Sequence, residues 1–257
     1  MDAGAVHWLG MILRQADIEY LRDTCRLAGT EILAVYQSDF AVARKDDRSP
    51  LTEADLRSHE VIERRLRGRW PGLPVLSEES AGEFPYQTRR DWEAFWLVDP
   101  LDGTKEFIQR NGQFTVNIAL IEKGRPAAGL VYAPVAGQMY CAVNGTGMAA
   151  APAPPGDRLR IVGSRSHHSP EMDAFVEEQK RRYADVEFIA MGSSLKICLV
   201  AEGKADIYPR FGPTMEWDTA AAHAVANAAG RRIVRYGSEE EISYNKPDLH
   251  NPWFVVR

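Results

Sequence analysis

Two aspartates, Asp99 and Asp102, stand three residues apart in a segment that combines carboxyl, hydroxyl and glycine residues. The segment reads Asp99-Pro100-Leu101-Asp102-Gly103-Thr104 and follows an apolar run, so the sequence predicts a buried strand that ends at Asp99. Carboxylate and carbonyl oxygens are the ligands that Mg²⁺ prefers, with water and phosphate completing its shell. Asp-Pro and Asp-Gly are also common turn dipeptides, so the segment alone fits a metal site and an acidic turn equally.

Three other interpretations of this segment fail on spacing. An EF-hand loop needs a glutamate at its twelfth position, where this chain has Arg110. A Walker A loop needs a Gly-Lys-Ser/Thr sequence after four free positions, which does not occur here. An aspartyl phosphatase carries its nucleophilic aspartate two residues before Asp102, and Pro100 stands there. Proline has no group that can attack phosphorus.

Two further acidic elements supply candidate metal ligands. Glu78 and Glu79 follow the short apolar run Val75-Leu76, and Asp218 precedes an alanine-rich stretch. Taken singly, the two glutamates fit a solvated loop, and Asp218 fits a charge that stabilises a helix N-terminus. Together with Asp99 and Asp102, they favour a metal centre assembled from three distant segments.

Composition limits the classes of function. The 257 residues are 45% hydrophobic and carry a formal net charge of -5, which predicts a globular enzyme without a nucleic-acid partner. Such a length allows one large domain or two smaller ones. Cys25, Cys141 and Cys198 are too scattered for a zinc site or a disulfide framework and are expected to be reduced and buried.

The sequence shows neither a secretory leader nor an apolar run long enough for a spanning helix, which takes about 20 residues. A cytoplasmic location is therefore expected. Peripheral contact with the cytoplasmic side of the inner membrane stays open, as does the choice between monomer and homodimer.

Apolar periodicity predicts the elements that position these residues. The first half is expected to contain a helix over 18–36, a helix capped by Thr52 and Asp55, two buried strands and an antiparallel meander. A Pro/Ala-rich linker at 149–156 suggests a metal-binding domain at 1–156 and a substrate-binding domain at 157–257. The second half alternates strands and helices, with a strand at 205–208 and a helix over 217–229 that ends at Gly230.

With these three acidic motifs in order, the sequence resembles the inositol-monophosphatase superfamily from the opening helix to Pro252. Within it, the segments 101–108, 114–121 and 208–214 are similar to the bisphosphate nucleotidases. The resemblance implies an α/β fold, a layered αβαβα sandwich. It also implies a phosphoric monoester hydrolase that needs Mg²⁺.

The resemblance also implies roles for individual residues. The ligands of two Mg²⁺ ions, with a third left open, would be Glu78 rather than Glu79, Asp99, the Leu101 carbonyl, Asp102 and Asp218. Thr104, hydrogen-bonded to Glu78, would orient the attacking water. Asp55 matches a further carboxylate near the metals, although the same residue is explained by the helix cap. The substrate-binding residues would be Glu78, Leu101, Asp102, Gly103, Thr104, Ser193, Lys196, Arg210 and Asp218.

Arg210 occupies the position at which inositol-specific members resemble one another in carrying a glutamate. A guanidinium in place of a carboxylate favours a second phosphate. We therefore expect Arg210, with Lys196 and Ser193, to bind the 5′-phosphate of adenosine 3′,5′-bisphosphate. The segment 164–167 is a weaker candidate for contacts with base or sugar, and its His167 is not expected to be catalytic.

Two alternatives remain open at this point. The chain could be an inositol monophosphatase or another sugar-phosphate phosphatase of the same fold. It could also be a sensor of nucleotide or metal that has the fold without turnover, although every implied ligand position is intact.

Overall fold

Short strands and helices alternate along the chain, and the computed structural model describes residues 13–44, 50–148, 156–164 and 169–257. In chain order the elements are α1 (Gln15–Tyr36), β1 (Val42–Arg44), β2 (Pro50–Thr52), α2 (Glu53–Arg69), β3 (Val75–Ser77), α3 (Tyr86–Arg89), β4 (Ala94–Asp102), α4 (Thr104–Ile108), β5 (Thr115–Glu122), β6 (Arg125–Ala133), β7 (Gln138–Val143), β8 (Arg158–Gly163), α5 (Pro170–Lys180), β9 (Asp185–Ala190), α6 (Leu195–Ala201), β10 (Tyr208–Arg210), α7 (Ala220–Ala228), β11 (Ile233–Arg235) and β12 (Phe254–Val256). Two 3₁₀ turns, Glu78–Glu83 and Glu216–Asp218, precede α3 and α7.

A five-stranded sheet of order β3-β4-β5-β6-β7 forms the centre of the first half. β3 and β4 are parallel, and the other neighbours are antiparallel, which confirms the predicted meander. The second half holds the parallel pair β8-β9 and an antiparallel sheet of order β10-β12-β11.

The layers follow from which faces are apolar. α1 and α2 cover one face of the large sheet, and their buried side chains share a core with Trp96, Val98 and Ile118. α6 and α7 cover the opposite face, beside Phe95, Leu97 and the small sheet. α5 packs outside β8 and β9. The αβαβα sandwich expected from the resemblance is confirmed.

α1 begins three residues before its predicted start and ends at Tyr36 as predicted, and α2 begins directly after its predicted cap. Thr52 caps α2: its hydroxyl oxygen accepts a hydrogen bond from Ala54 N at 3.2 Å. Asp55 Oδ2 accepts from Thr52 N at 2.8 Å, so the capping box is present with aspartate in place of glutamate. This cap fixes the Asp55 carboxyl at the start of α2.

β4 is longer than the sequence predicts. The strand continues past Asp99 to Asp102, with a break in its register to β5 between these two residues. Pro100 has no N–H to donate, so regular pairing cannot pass through the segment. The resulting bulge lies between Asp99, which stays buried, and Asp102, which is half-buried.

Two predictions for the second half are wrong in their limits. The strand expected at 205–208 is β10, which starts at Tyr208. It starts late because Asp206 is bound to Arg160, whose Nη2 donates to Asp206 Oδ1 at 2.7 Å. The helix expected from Trp217 begins instead at Ala220, since Asp218 closes a 3₁₀ turn by accepting from Met215 N at 2.8 Å. The expected end at Gly230 agrees with its positive φ of 75°.

α7 lies unusually close to the large sheet. A Cβ placed on Gly129 of β6 would stand 2.1 Å from the backbone oxygen of Ala221. Ala221 and Ala224 are the residues of α7 nearest to this position, and both are buried. The depth of α7 against the sheet therefore depends on the missing side chain of Gly129.

The predicted linker lies outside the described residues at 149–155. Helix α7, from beyond residue 156, packs on β5, β6 and β7 of the first half. The division into domains 1–156 and 157–257 stays a prediction.

Candidate active site

Three carboxyl groups from two distant segments meet at the end of β4. One oxygen from each of Asp99, Asp102 and Asp218 lies within 4.8 Å of the others. Asp99 is buried, whereas Asp102 and Asp218 are half-buried. An all-oxygen cluster of this size and charge suits a hard divalent cation.

Each of the two flanking carboxyls is held by a backbone N–H from its own segment. Asp99 Oδ1 accepts a hydrogen bond from Leu101 N at 3.0 Å, across the bulge of β4. Asp218 Oδ2 accepts from Met215 N at 2.8 Å, within the 3₁₀ turn. Local sequence therefore fixes both carboxylates.

Asp102 is held from across the fold by a residue that sequence reasoning missed. Ser194 N donates to Asp102 Oδ2 at 2.5 Å, and Ser194 Oγ lies 2.6 Å from the same oxygen. Ser194 Oγ is also 2.7 Å from the backbone oxygen of Asp218, and Asn117 Nδ2 donates to Ser194 Oγ at 2.9 Å. Ser194 thus contacts both the Asp102 segment and the Asp218 segment. Its position next to Ser193 before α6 was the available signal.

Burial and neighbouring negative charges raise the pKa values of two carboxyl groups in the cluster. Burial, followed by the charges of Glu78, Asp102 and Asp218, raises the pKa of Asp99 well above its usual value. Burial and the charge of Asp102 likewise raise the pKa of Asp218 to about 8. A bound cation would relieve this repulsion, so the residues present fit a divalent metal.

The predicted metal ligands, together with Gly103, Thr104 and Arg210, line one open cavity of about 450 Å³. Among its lining residues are Glu78, Asp99, Leu101, Asp102, Gly103, Thr104, Arg210 and Asp218. Glu78 opens the 3₁₀ turn that follows β3, so the parallel pair β3-β4 brings both acidic strand ends to one edge. The roles assigned to these residues stay predictions.

Thr104 has a different acidic partner from the one that the resemblance implied. Its hydroxyl donates to Asp55 Oδ1 at 3.3 Å and lies 3.4 Å from the Leu101 carbonyl oxygen. The hydrogen bond expected with Glu78 is thus made with Asp55. Because Asp55 is already fixed by the cap of α2, the cap also orients Thr104.

A smaller pocket of about 120 Å³ adjoins the acidic cluster. We call it the cationic pocket after Lys196 and Arg210, although Asp102, Glu106 and Asp218 also line it. Lys196 is 7% exposed, and its Nζ donates to the Ser193 carbonyl at 2.6 Å. Burial lowers the pKa of Lys196 to about 8. Arg210 Nη2 donates to Pro213 O at 2.9 Å, while its buried Nε has no hydrogen-bond partner among the described residues.

The two cavities share a wall. Asp102, Gly103, Arg210 and Asp218 line both, so a ligand can reach acidic and cationic groups at once. Ser164 lines the smaller pocket, whereas the rest of the candidate segment, His167 included, lies outside the described residues.

The fold and the acidic cluster define a known class of protein. Residues 14–252 match the model of the inositol monophosphatase family, and the chain belongs to that family. The resemblance found from the acidic motifs is confirmed, and it makes the chain a member of a metal-dependent family of phosphatases.

Several relatives with high sequence identity have a more specific name than the family. The chain is 46% identical to the 3′(2′),5′-bisphosphate nucleotidase CysQ of Salmonella typhimurium, over 93% of this chain and 98% of the relative. It is 47% identical to CysQ of Escherichia coli K12, over 92% and 98%. The crystal structure of CysQ from Bacteroides thetaiotaomicron superposes with a TM-score of 0.82 at 45% identity, covering 94% of this chain and 97% of that one.

A more distant neighbour confirms the fold alone: an IMPase from Thermotoga maritima gives a TM-score of 0.76 at 19% identity. Within the described residues, none of the helices has the length and apolar character needed to span a bilayer. The cytoplasmic location, the peripheral membrane contact and the oligomeric state stay predictions.

Proposed function

We propose that this chain is a Mg²⁺-dependent 3′(2′),5′-bisphosphate nucleotidase that converts adenosine 3′,5′-bisphosphate to AMP and phosphate. The observation that carries the proposal is the shared wall between the acidic cavity and the cationic pocket. A substrate with two phosphates can place one at the acidic cluster and the other beside Arg210 and Lys196. The similarity to curated CysQ proteins supports the same activity.

The metal ligands that we propose are Glu78, Asp99, the Leu101 carbonyl, Asp102 and Asp218. When bound, two Mg²⁺ ions supply Lewis-acid activation of water and neutralise phosphate oxygens. A third ion near Asp55 is part of the same proposal. Ser194 holds the Asp102 carboxylate in place for this role.

Thr104 and Asp55 would manage the proton of the attacking water. The hydroxyl oxygen of Thr104 accepts a hydrogen bond from the water, while its own proton points to Asp55 Oδ1 at 3.3 Å. As the water oxygen bonds to phosphorus, a proton can pass through Thr104 to Asp55. The bond between phosphorus and the ribose oxygen breaks, and that oxygen takes up a proton from solvent. Backbone N–H groups of Gly103 and Thr104 would hold the phosphate.

The second phosphate would bind in the cationic pocket. Arg210 Nε is buried without a partner among the described residues, and a phosphate oxygen would satisfy it. Lys196 adds a charge from the same pocket, and Ser193 positions the Lys196 ammonium through its carbonyl. The phosphate that stays on the product thus supplies binding energy, and its contacts position the phosphate that reacts.

A phosphate-release panel tests the proposal. Adenosine 3′,5′-bisphosphate, adenosine 2′,5′-bisphosphate, inositol 1-phosphate and fructose 1,6-bisphosphate are compared with and without Mg²⁺, and with Li⁺ as an inhibitor implied by the resemblance. We expect the highest kcat/KM for the 3′,5′-bisphosphate, and no turnover without metal. A preference for inositol 1-phosphate would refute the substrate. Nucleotide binding with no phosphate release under any condition would support the sensor instead.

A further inference from the structure

A second cavity, larger than either part of the active site, lies on the outside of the small sheet. Its volume is about 650 Å³. The floor is apolar, with Leu159, Phe175, Ile207 and Val255. No residue of the active site described above lines it.

The three-stranded sheet β10-β12-β11 separates this cavity from the active site. Side chains alternate between the faces of a strand. In β12, Phe254 lines the cationic pocket, while its neighbour Val255 lines the second cavity. Arg210 is paired with Phe254 in the same sheet. The second cavity is therefore one sheet away from the residue that we expect to bind phosphate.

Positive charge is in excess around the second cavity. Arg182, Arg231, Arg235 and Arg257 line it, against Asp206 and Glu239. Asp206 already accepts two hydrogen bonds from the Arg160 side chain, at 2.7 and 3.1 Å, and Glu239 pairs with Arg257. The acidic side chains are thus neutralised in part by arginines, and Arg231 and Arg235 have no ion pair within the described residues.

One guanidinium of the cavity has buried nitrogen atoms without a hydrogen-bond partner among the described residues. Arg231 Nε and Nη2 are inaccessible to solvent and make no hydrogen bond to any described residue. Gln179 lines the same cavity and is only 7% exposed. Leaving such donors unpaired is costly, and a guanidinium is suited to bind phosphate through two parallel hydrogen bonds. The unpaired guanidinium of Arg231, with Arg235 lining the same cavity, therefore favours an anionic ligand.

Aromatic rings define the rest of the ligand. Phe175 and Tyr236 stand edge to face with ring centroids 6.5 Å apart, and Tyr183 also lines the cavity. Tyr236 is exposed and can contact a flat ring that enters from solvent. An inorganic anion would leave these apolar walls unused, whereas the volume lies within the usual range for small-molecule sites.

We propose that this cavity is a second, non-catalytic site for a nucleotide-sized phosphate monoester. Its phosphate is bound by Arg231, Arg235 and Gln179, and its aromatic base packs against Phe175 and Tyr236. The site does not depend on the substrate proposed for the active site.

Calorimetric titration with AMP, with inorganic sulfate and ribose 5-phosphate as separate arms, tests the site on the full chain. We expect two AMP-binding events in the wild type. Arg210→Ala should weaken one, and Arg231→Gln combined with Arg235→Gln should weaken the other by at least about tenfold. The double variant should still hydrolyse adenosine 3′,5′-bisphosphate with a kcat/KM within about twofold of wild type.

The matched control is Arg232→Gln, since Arg232 is exposed, pairs with Glu241 and does not line the cavity. It should bind AMP as the wild type does. If the double variant fails to fold, as judged by circular dichroism, Gln179→Leu supplies an uncharged test of the same event. Loss of all AMP binding in Arg210→Ala alone would overturn the proposal. Equal affinity for ribose 5-phosphate and AMP would overturn the aromatic half of the site.

Discussion

The acidic and cationic halves of the active site are built in different ways. Asp99 and Asp218 each accept a hydrogen bond from a backbone N–H within three residues, so short stretches of sequence fix them. Lys196 and Arg210 come from separate elements, α6 and β10, and face each other only because the small sheet packs beside α6. The comparison teaches that local motifs carry the chemistry here, while tertiary packing determines which substrate is chosen.

The largest effect is expected at the acidic half. Asp99→Asn should lower kcat by about 10³-fold, since loss of a metal carboxylate removes several kcal/mol of charge stabilisation. Its folded stability without metal should rise. The pKa of Asp99 is raised, so the ionised carboxyl opposes folding, and stability is lost as pH rises above the unfolded value of about 3.8.

Steady-state kinetics and thermal unfolding in metal-free buffer at neutral pH check both parts. Asp91→Asn, at an exposed carboxylate outside the site, is the matched control and should change neither. Near-normal turnover of Asp99→Asn at saturating Mg²⁺ would remove Asp99 from the set of ligands.

At the cationic half, Arg210→Glu should separate substrates rather than abolish turnover. The kcat/KM for adenosine 3′,5′-bisphosphate should fall by roughly 10²-fold, the size expected for a lost charge-assisted hydrogen bond together with a repulsive charge. Hydrolysis of 3′-AMP, which has no second phosphate, should change by less than about threefold. Arg90→Glu, an equal charge change at an exposed site, serves as control. Equal losses for both substrates would place Arg210 in the chemistry instead.

Ser194 joins the two halves, and its replacement should have an intermediate effect. Ser194→Ala removes the hydroxyl from Asp102 and leaves the backbone hydrogen bond, so the apparent affinity for Mg²⁺ should fall by about tenfold. Saturating metal should restore most of kcat, which separates positioning from catalysis. Ser194→Thr keeps the hydroxyl and should recover the affinity. An unchanged Mg²⁺ dependence of Ser194→Ala would show that Asp102 needs no such support.

The smallest expected effect is a decline of kcat/KM at high pH, the alkaline limb of the pH profile, which we assign to Lys196. Lys196 is charged below its pKa of about 8 and neutral above it, so kcat/KM for the bisphosphate should decline several-fold as pH rises through 8. Lys196→Arg keeps its charge at all these pH values and should lack this limb. At each pH, kcat/KM for the bisphosphate is divided by kcat/KM for 3′-AMP. Titration of groups at the metal centre affects both substrates, so it cancels in this ratio. A limb retained in the arginine variant would assign it to another group.

The sequence predicts what is encoded locally. The cap at Thr52 and Asp55, the strand before Asp99 and the acidic motifs depend on neighbours within a few residues, and the structure has them. Contacts between distant segments were not predicted: Ser194 reaches Asp102 across 92 residues, and Thr104 bonds Asp55 rather than Glu78.

The small sheet is a second region that the sequence does not predict well. β11 and β12 have three residues each, too few for a periodic pattern, and β10 begins late because Asp206 pairs with Arg160. Such pairing depends on which segments the fold brings together, and periodicity carries no information about it. For that reason the cavity behind the small sheet was also absent from the sequence-based expectations.

The lack of a side chain at Gly129 allows α7 to lie close to the large sheet. Asp218 lies two residues before α7, and α7 packs on β6 at Gly129, where a Cβ would stand 2.1 Å from Ala221 O. A single methyl group there would lift the helix and carry Asp218 away from Asp99 and Asp102. Hydrogen bonds within each acidic segment fix its carboxylate, whereas the close approach at Gly129 determines how near the whole Asp218 segment lies to the large sheet.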